Sequence, residues 1–167
     1  MRSQHEPEVF SAVINDYLSK GEYLIETSSK IFSPTGMGEI ISWDKISFAK
    51  LSACRSFFDG SYKVHKETYD DWVLSNNQSC LLTPLIANPQ VTLISQATCD
   101  QLFDEQNQRW SVFHWLTRPG FSQDFSQALI QITAHCPAGP PQYGSILYLE
   151  RTSKQWEVKS SYGLYNQ

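Results

Sequence analysis

No two of the four cysteines, Cys54, Cys80, Cys99 and Cys136, stand as a C-x-x-C pair, and that spacing is wrong for a zinc box. Their scatter fits ordinary buried thiols, which behave as small hydrophobes, so all four are expected to be free. In an exported protein, Cys80 and Cys99 would be the first pair to test for a bridge, because they flank one compact segment. Cationic residues occur singly rather than in runs: 13 Lys and Arg against 17 Asp and Glu leave a net charge of −4 and a pI near 5.5. A surface that tracks phosphates gains affinity by releasing counterions and needs a basic patch, so nucleic acid is not an expected partner. No apolar run approaches the ~20 residues that cross a bilayer, and Met1–Pro7 is too polar for the apolar part of a signal peptide. The chain as written therefore reads as soluble and cytoplasmic, or as exported if a leader was removed. A phosphate loop, a metal box and an arranged catalytic constellation are all missing, and no cofactor is expected.

What the chain does have is enough apolar material for a core. At 167 residues with 41% apolar and 13% aromatic content, a single domain that needs neither disulfides nor metal is the natural size. Its clearest pattern runs from Trp110 to the C-terminus. In Trp110–Arg118, Phe113 and Trp115 alternate with Val112, His114 and Leu116, so both faces are apolar and the strand should be central in its sheet. After the polar turn Ser122-Gln123-Asp124, the run Gln127–His135 sets Ala128, Ile130, Ile132 and Ala134 on a core face against Leu129, Gln131, Thr133 and His135 on a mixed one. Cys136–Gln142 holds three prolines, each without a ladder donor, and is expected to be a loop or a frayed edge. Strands resume at Tyr143–Glu150 and Trp156–Lys159 around the turn Thr152–Gln155. The reading is a C-terminal four-strand antiparallel meander.

Upstream, Val9, Phe10, Val13, Ile14, Tyr17 and Leu18 recur at helical spacing until Gly21, with Pro7 suited to the first helical position. A short strand follows over Glu22–Thr27. Ser33–Gly38 reads as a loop, Trp43–Phe58 as a helix, and Asp59-Gly60 as a break. Thr68–Asn76 reads as a short helix capped by Thr68, with Asp70 and Asp71 near its positive end. Val91–Ile94 is β-prone, and Ser95 can cap a helix through Phe103. Helices packed on a mostly antiparallel sheet make the fold class α+β.

Five stretches carry a resemblance: Glu26-Thr27-Ser28, Glu67-Thr68-Tyr69-Asp70-Asp71-Trp72, Thr117-Arg118-Pro119-Gly120-Phe121, Gln127-Ala128-Leu129-Ile130 and Lys154-Gln155-Trp156. Together they resemble a family of small uncharacterised bacterial proteins, often exported. Its pattern has a central Glu-Thr-x-x-Asp-Phe, a Ser-Arg and Gly-Phe pair, Gln-Ala-Leu-Val, and a last strand centred on Gly-x-Trp. Thr117 stands where that family has serine, and Cys136–Pro141 replaces a glycine-rich loop. The resemblance implies a fold order and the arginine at 118, and brings no activity with it.

The candidate sites are modest. His5 and His65 lie in polar stretches, and His114 and His135 lie in strands with no serine, cysteine and acid arranged around them. His135 and Cys136 point to opposite faces of a strand and make a poor metal pair. Trp110, Trp115 and Trp156 are read as core before they are read as an aromatic ligand site. Arg118 leaves a strand just before Pro119-Gly120, where its guanidinium could grip a carboxylate with two parallel bonds. Glu26, which ends the other legible strand beside Thr27, is the expected partner. Arg118, Glu26, Thr27 and Thr117 form the candidate binding set, structural first and ligand-binding second. The function that fits is a non-enzymatic binding or interaction protein with a protein or small ligand as partner. The alternative is a small-molecule-binding or hydrolytic domain of nuclear-transport-factor-2-like architecture. A deep cavity at Trp115, His114 or Tyr148 with a convergent acid would favour the alternative, and a filled sheet face the first.

Overall fold

The computed structural model describes residues 1–31, 40–48 and 62–166. Helices α1 (Arg2–Tyr17), α2 (Trp43–Phe48), α3 (Lys66–Ser75) and α4 (Gln96–Asp104) pack on one sheet. Its strands are β1 (Tyr23–Ile25), β2 (Thr92–Ile94), β3 (Phe113–Leu116), β4 (Gly120–Phe121), β5 (Gln127–Cys136), β6 (Gly139–Thr152) and β7 (Gln155–Asn166). They run in the order β2-β1-β3-β5-β6-β7, with β4 pairing β5 off the path. The β2, β1 and β3 neighbours are parallel and the rest antiparallel. The architecture is therefore α+β, with β3 central between β1 and β5 as its two apolar faces require. Among the described residues, no helix is long and apolar enough to cross a membrane.

Alternation along the strands decides which layer covers which face. His114 stands opposite Leu24 on β1 and Ala134 on β5, and Ala134 stands opposite Tyr143 on β6. On this face Leu116, Ala128, Ile130, Ile132, Leu147, Leu149 and Trp156 join Val9, Phe10, Val13 and Ile14 of α1 in one buried cluster. On the other face Leu129, Ile146 and Tyr148 meet Trp72 of α3 and Ile46 of α2, while Phe113 and Ile25 meet Cys99 of α4. Gly21, at φ +88°, occupies the left-handed region open to glycine and turns the chain from α1 into β1. Ile130 and Ile132 are fully buried. Truncating either to alanine is expected to cost roughly 2–5 kcal/mol in urea unfolding, the range for large-to-small core changes. A midpoint indistinguishable from the parent's would remove both from the core.

Several boundaries differ from the sequence reading. Pro7 lies inside α1, which begins at Arg2 rather than at the proline. The missing proline N–H forgoes one intrahelical bond, and the ion pairs and ring contacts of Arg2, His5 and Glu6 described below hold the extra turn in place. α3 begins at Lys66 with His65 as its N-cap, so Thr68 is interior, where its hydroxyl faces Gln127 Oε1 at 3.4 Å. The strand read from Trp110 shrinks to Phe113–Leu116, because Ser111 N–H turns back to Gln108 O and Pro119 ends the run. Trp110 is left 74% exposed.

Of the proline-rich stretch only Pro137 and Ala138 form the turn, and the rest is the frayed strand end: β6 starts at Gly139 and passes through Pro140, Pro141 and Gln142. It is tolerated because Pro140 and Pro141 fall between the pairs His135↔Gln142 and Cys136↔Gly139, where the ladder with β5 is irregular, and among the described residues β7 pairs with β6 from Tyr143 onward. Pro140 and Pro141 therefore sit at a bulge, where a missing N–H is harmless. Ser95 does cap α4, its hydroxyl accepting Thr98 N–H at 3.1 Å. Cys80, Cys99 and Cys136 are free, and burial pushes the Cys99 thiol up to about 12. Cys54, the Ser33–Gly38 loop, the Asp59-Gly60 break and residues 49–58 of the Trp43–Phe58 helix lie outside the described residues.

Candidate functional site

The first turns of α1 place Arg2, His5 and Glu6 on one side of the helix, by the spacing of three and four that makes helical neighbours. Glu6, only 3% exposed, accepts from Arg118 Nε at 3.0 Å and from Arg118 Nη2 at 2.7 and 2.9 Å. Arg2 Nε reaches the same carboxylate at 3.2 Å. The rest of the Arg2 guanidinium goes to α3 and to the turn after β3. Nη1 donates to Asp71 Oδ2 at 2.8 Å, and Nη2 donates to Ser75 Oγ at 2.7 Å and Pro119 O at 2.6 Å. The guanidinium carbon also lies 5.2 Å from the Phe121 ring centre. Asp71 Oδ2 in turn accepts Phe121 N–H at 2.7 Å. Two guanidiniums and two carboxylates thus alternate in charge across α1, α3 and the Thr117–Phe121 turn, which keeps the buried Glu6 compensated.

Arg118 does not meet the partner expected for it from the sequence. Its carboxylate is Glu6, not Glu26. Glu26 spends its backbone on Ile94 O and Leu82 N–H, and Thr27 is an exposed residue bridging to Leu81. Thr117 is fully buried and its hydroxyl oxygen accepts from Trp72 Nε1 at 3.1 Å and Gln131 N at 2.9 Å, a role inside the fold. Arg118 and Thr117 belong to one corner, and Glu26 and Thr27 to the stretch that pairs with residues 81–82. Arg2, Glu6 and Asp71 were missed. An i,i+4 Arg2/Glu6 pair was visible in the sequence, but the stretch before Pro7 was not read as helical.

Beside this network lies a cleft of about 390 Å³ lined by Arg2, Phe121, Ser122, Gln123, Phe125 and one face of α3. That face carries Glu67, Asp70, Asp71 and Leu74, spaced by three and four, which is why all four reach the same groove. The opposite wall is a clamped turn. Asp124 Oδ1 accepts from the Ser122 hydroxyl, the Ser126 N–H and the Ser126 hydroxyl. The Ser122 and Ser126 bonds hold its carboxyl down at about 2. Phe125 takes a φ of 53° at this turn, a left-handed conformation uncommon outside glycine. Gln123 N–H donates to Glu67 Oε1 at 3.1 Å and ties the two walls together.

His5, read from the sequence as lying in polar surroundings, is buried behind this wall. Its ring centre lies 4.9 Å from Phe125 and 5.9 Å from Trp156. Its Nδ1 is 3.4 Å from Trp156 Nε1 and 3.2 Å from Glu8 Oε2. The three tryptophans do not converge: Trp156 is in the α1-side cluster, Trp115 packs toward α4, and Trp110 is exposed. The His135 ring lies tilted against Phe103, with centres 5.4 Å apart, and Cys136 Sγ contacts Arg109 O. Among the described residues, no group of three or more His, Cys, Asp or Glu could hold a metal ion.

The second polar centre is His114, buried in β3 with Nε2 2.7 Å from Glu22 Oε2. Its Nδ1 has no hydrogen-bond partner among the described residues. Burial lowers the His114 pKa, opposed by the hydrogen bond and charge of Glu22. Burial and the same carboxylate push the Tyr143 hydroxyl up to about 12. A histidine whose folded value is depressed stabilises the fold above its ordinary 6.5, and that contribution is lost as pH falls from 6.5 through the folded value. Urea midpoints of the parent should therefore drop across this window more steeply than those of His114→Gln. Parallel pH profiles would show that His114 does not take up a proton on unfolding.

No family model matches the chain, and neither a curated protein nor a solved structure does.

Proposed function

We propose that this chain is a non-enzymatic binding domain whose receptor surface is the cleft between α3 and the 121–125 turn. The observation that carries this reading is that both walls are held by the protein's own bonds. Arg2–Asp71 and Asp71–Phe121 fix α3 against β4, and the Asp124 hydrogen bonds fix the turn. A cleft fixed before its ligand arrives loses little conformational entropy on binding, and its volume falls in the range of ligand sites. The alternative, a hydrolytic or small-molecule site within the sheet, needs a cavity at His114, Trp115 or Tyr148. His114 and Tyr148 are buried among packed side chains, which favours the binding reading.

Amide ¹H–¹⁵N spectra titrated separately with the N-acetyl methylamides of arginine, glutamate, phenylalanine and leucine test it. Saturable shifts at Asp71, Leu74, Gln123 and Phe125 are expected for at least one probe. Four flat titrations would remove the cleft as a binding surface.

A further inference from the structure

We infer that the occupant of this cleft is an arginine side chain of a partner polypeptide, an inference that rests on the cleft being the binding surface. The lining charges are three carboxylates, Glu67, Asp70 and Asp71, and one guanidinium, Arg2. Arg2 is no receptor for an anion, because Nε and both Nη atoms already donate to Glu6, Asp71, Ser75 and Pro119. An anionic ligand would meet acids without a free donor cation to receive it.

A cation meets the opposite situation. Glu67 uses Oε1 for Gln123 N–H, and Asp71 uses Oδ2 for Arg2 and Phe121 N–H. Their second oxygens, Glu67 Oε2 and Asp71 Oδ1, have no hydrogen-bond partner among the described residues. Residues four apart on a helix are neighbours about 5–6 Å apart, so the planar fork of a guanidinium suits the pair better than the point charge of an ammonium. Asp70 adds negative charge and is shared with Lys66, which pairs with it at 2.7 Å and lies 5.9 Å from the Trp43 ring centre.

Phe125 and Leu74 supply apolar surface for the three-carbon stem, and arginine stacks favourably on an aromatic face such as that of Phe125. Arg2 shows the same chemistry within the molecule, paired with Asp71 while its guanidinium stands over Phe121. A residue inside a polypeptide is favoured over the free amino acid, whose own carboxylate would be repelled by Glu67 and Asp70. Leu74, 69% exposed at the rim, offers contact to a flanking residue.

The test uses the full chain and four blocked tripeptides, acetyl-Gly-X-Gly-amide with X arginine, lysine, citrulline or glutamate, followed by amide shifts. Citrulline keeps the shape of arginine and removes the charge. The arginine peptide is expected to bind at least about tenfold more tightly than the citrulline and glutamate peptides, and more tightly than lysine. It should weaken several-fold in Glu67→Gln and in Asp70→Asn, and again on raising salt from 50 to 500 mM, because rim charges are screened. Melting temperatures of both variants should stay within a few degrees of the parent value, since neither residue belongs to the Arg2–Glu6–Arg118–Asp71 network, glutamine at 67 keeps an oxygen for Gln123 N–H, and the exposed Lys66–Asp70 pair contributes only about 0–1 kcal/mol. If citrulline, glutamate or lysine binds as tightly as arginine, the inference is overturned while the cleft remains a binding surface. If no peptide shifts any cleft amide, both readings fall.

Discussion

Replacing Arg118 with methionine is expected to destabilise the protein by about 3–5 kcal/mol, the cost of breaking a buried ion pair from one side. Glu6 is 3% exposed and Arg118 contributes three of its four charge-assisted bonds. Arg2 remains as a partial counter-charge at 3.2 Å, so this substitution should fall toward the lower end of the range. Glu6→Gln should cost at least as much, because it removes the one anion that lies between two guanidiniums and leaves Arg118 without its carboxylate. Arg118→Lys should not restore the parent, since a single ammonium cannot reproduce the two-pronged contact.

Urea unfolding of Arg118→Met, Glu6→Gln and the double variant measures the coupling directly. The double variant is expected to lose clearly less than the sum of the singles. Additivity within about 0.3–0.5 kcal/mol would mean that the residues are independent. Glu26→Gln serves as the control, with an effect within about ±0.5 kcal/mol expected of a surface position away from any network.

The second large effect is at Gly120, where β4 passes under α3. A side chain there would place its Cβ 2.3 Å from Trp72 N, Cα and Cβ. Two of those atoms are backbone, and they move only if α3 lifts from the sheet. Gly120→Ala is therefore expected at or above the top of the ~1–3 kcal/mol range for overpacking. Trp72→Ala, which empties the fully buried indole site and removes the bond to Thr117 Oγ1, is expected to cost ~3–5 kcal/mol. The two should not compensate each other, because the clash at position 120 is with atoms that alanine at 72 retains. A Gly120→Ala protein with the parent's melting temperature would show that α3 is not seated on β4, and the cleft wall would lose its support.

The consequences of Gly120→Ala should reach the cleft. Asp71, the neighbour of Trp72, holds both Arg2 and the Phe121 N–H, so lifting α3 separates the two walls. The amide shift of Phe121 is therefore expected to move with the stability loss, a local readout that a generic destabilisation would not produce below the unfolding transition.

The meander was legible in the amino-acid order because alternation is a local property. Ala128, Ile130, Ile132 and Ala134 declare a buried face without reference to any other segment, and the structure buries all four. The Val9–Leu18 stripe of α1, the Ser95 cap and the central place of β3 were determined in the same way, by periodicity and turn chemistry within a few residues.

What pairs with what across the fold was decided only by tertiary structure. Nothing near Arg118 in sequence distinguishes Glu6 from Glu26. The choice follows from α1 crossing the sheet so that its first turns stand over the end of β3. The same crossing made helix of the polar residues before Pro7, whose order comes from Arg2, His5 and Glu6 finding partners more than a hundred residues away or on α3. Pro140 and Pro141 could enter a strand because they fall at the irregular step of the β5–β6 ladder, between the pairs His135↔Gln142 and Cys136↔Gly139, a fact of register and not of propensity. The acids of α3 had a sufficient local explanation in the helix dipole, and they became one wall of a cleft when the 121–125 turn was brought against them. Local pattern determines which face of an element is buried, whereas the identity of the group it meets there depends on long-range register, which the chain acquires only on folding.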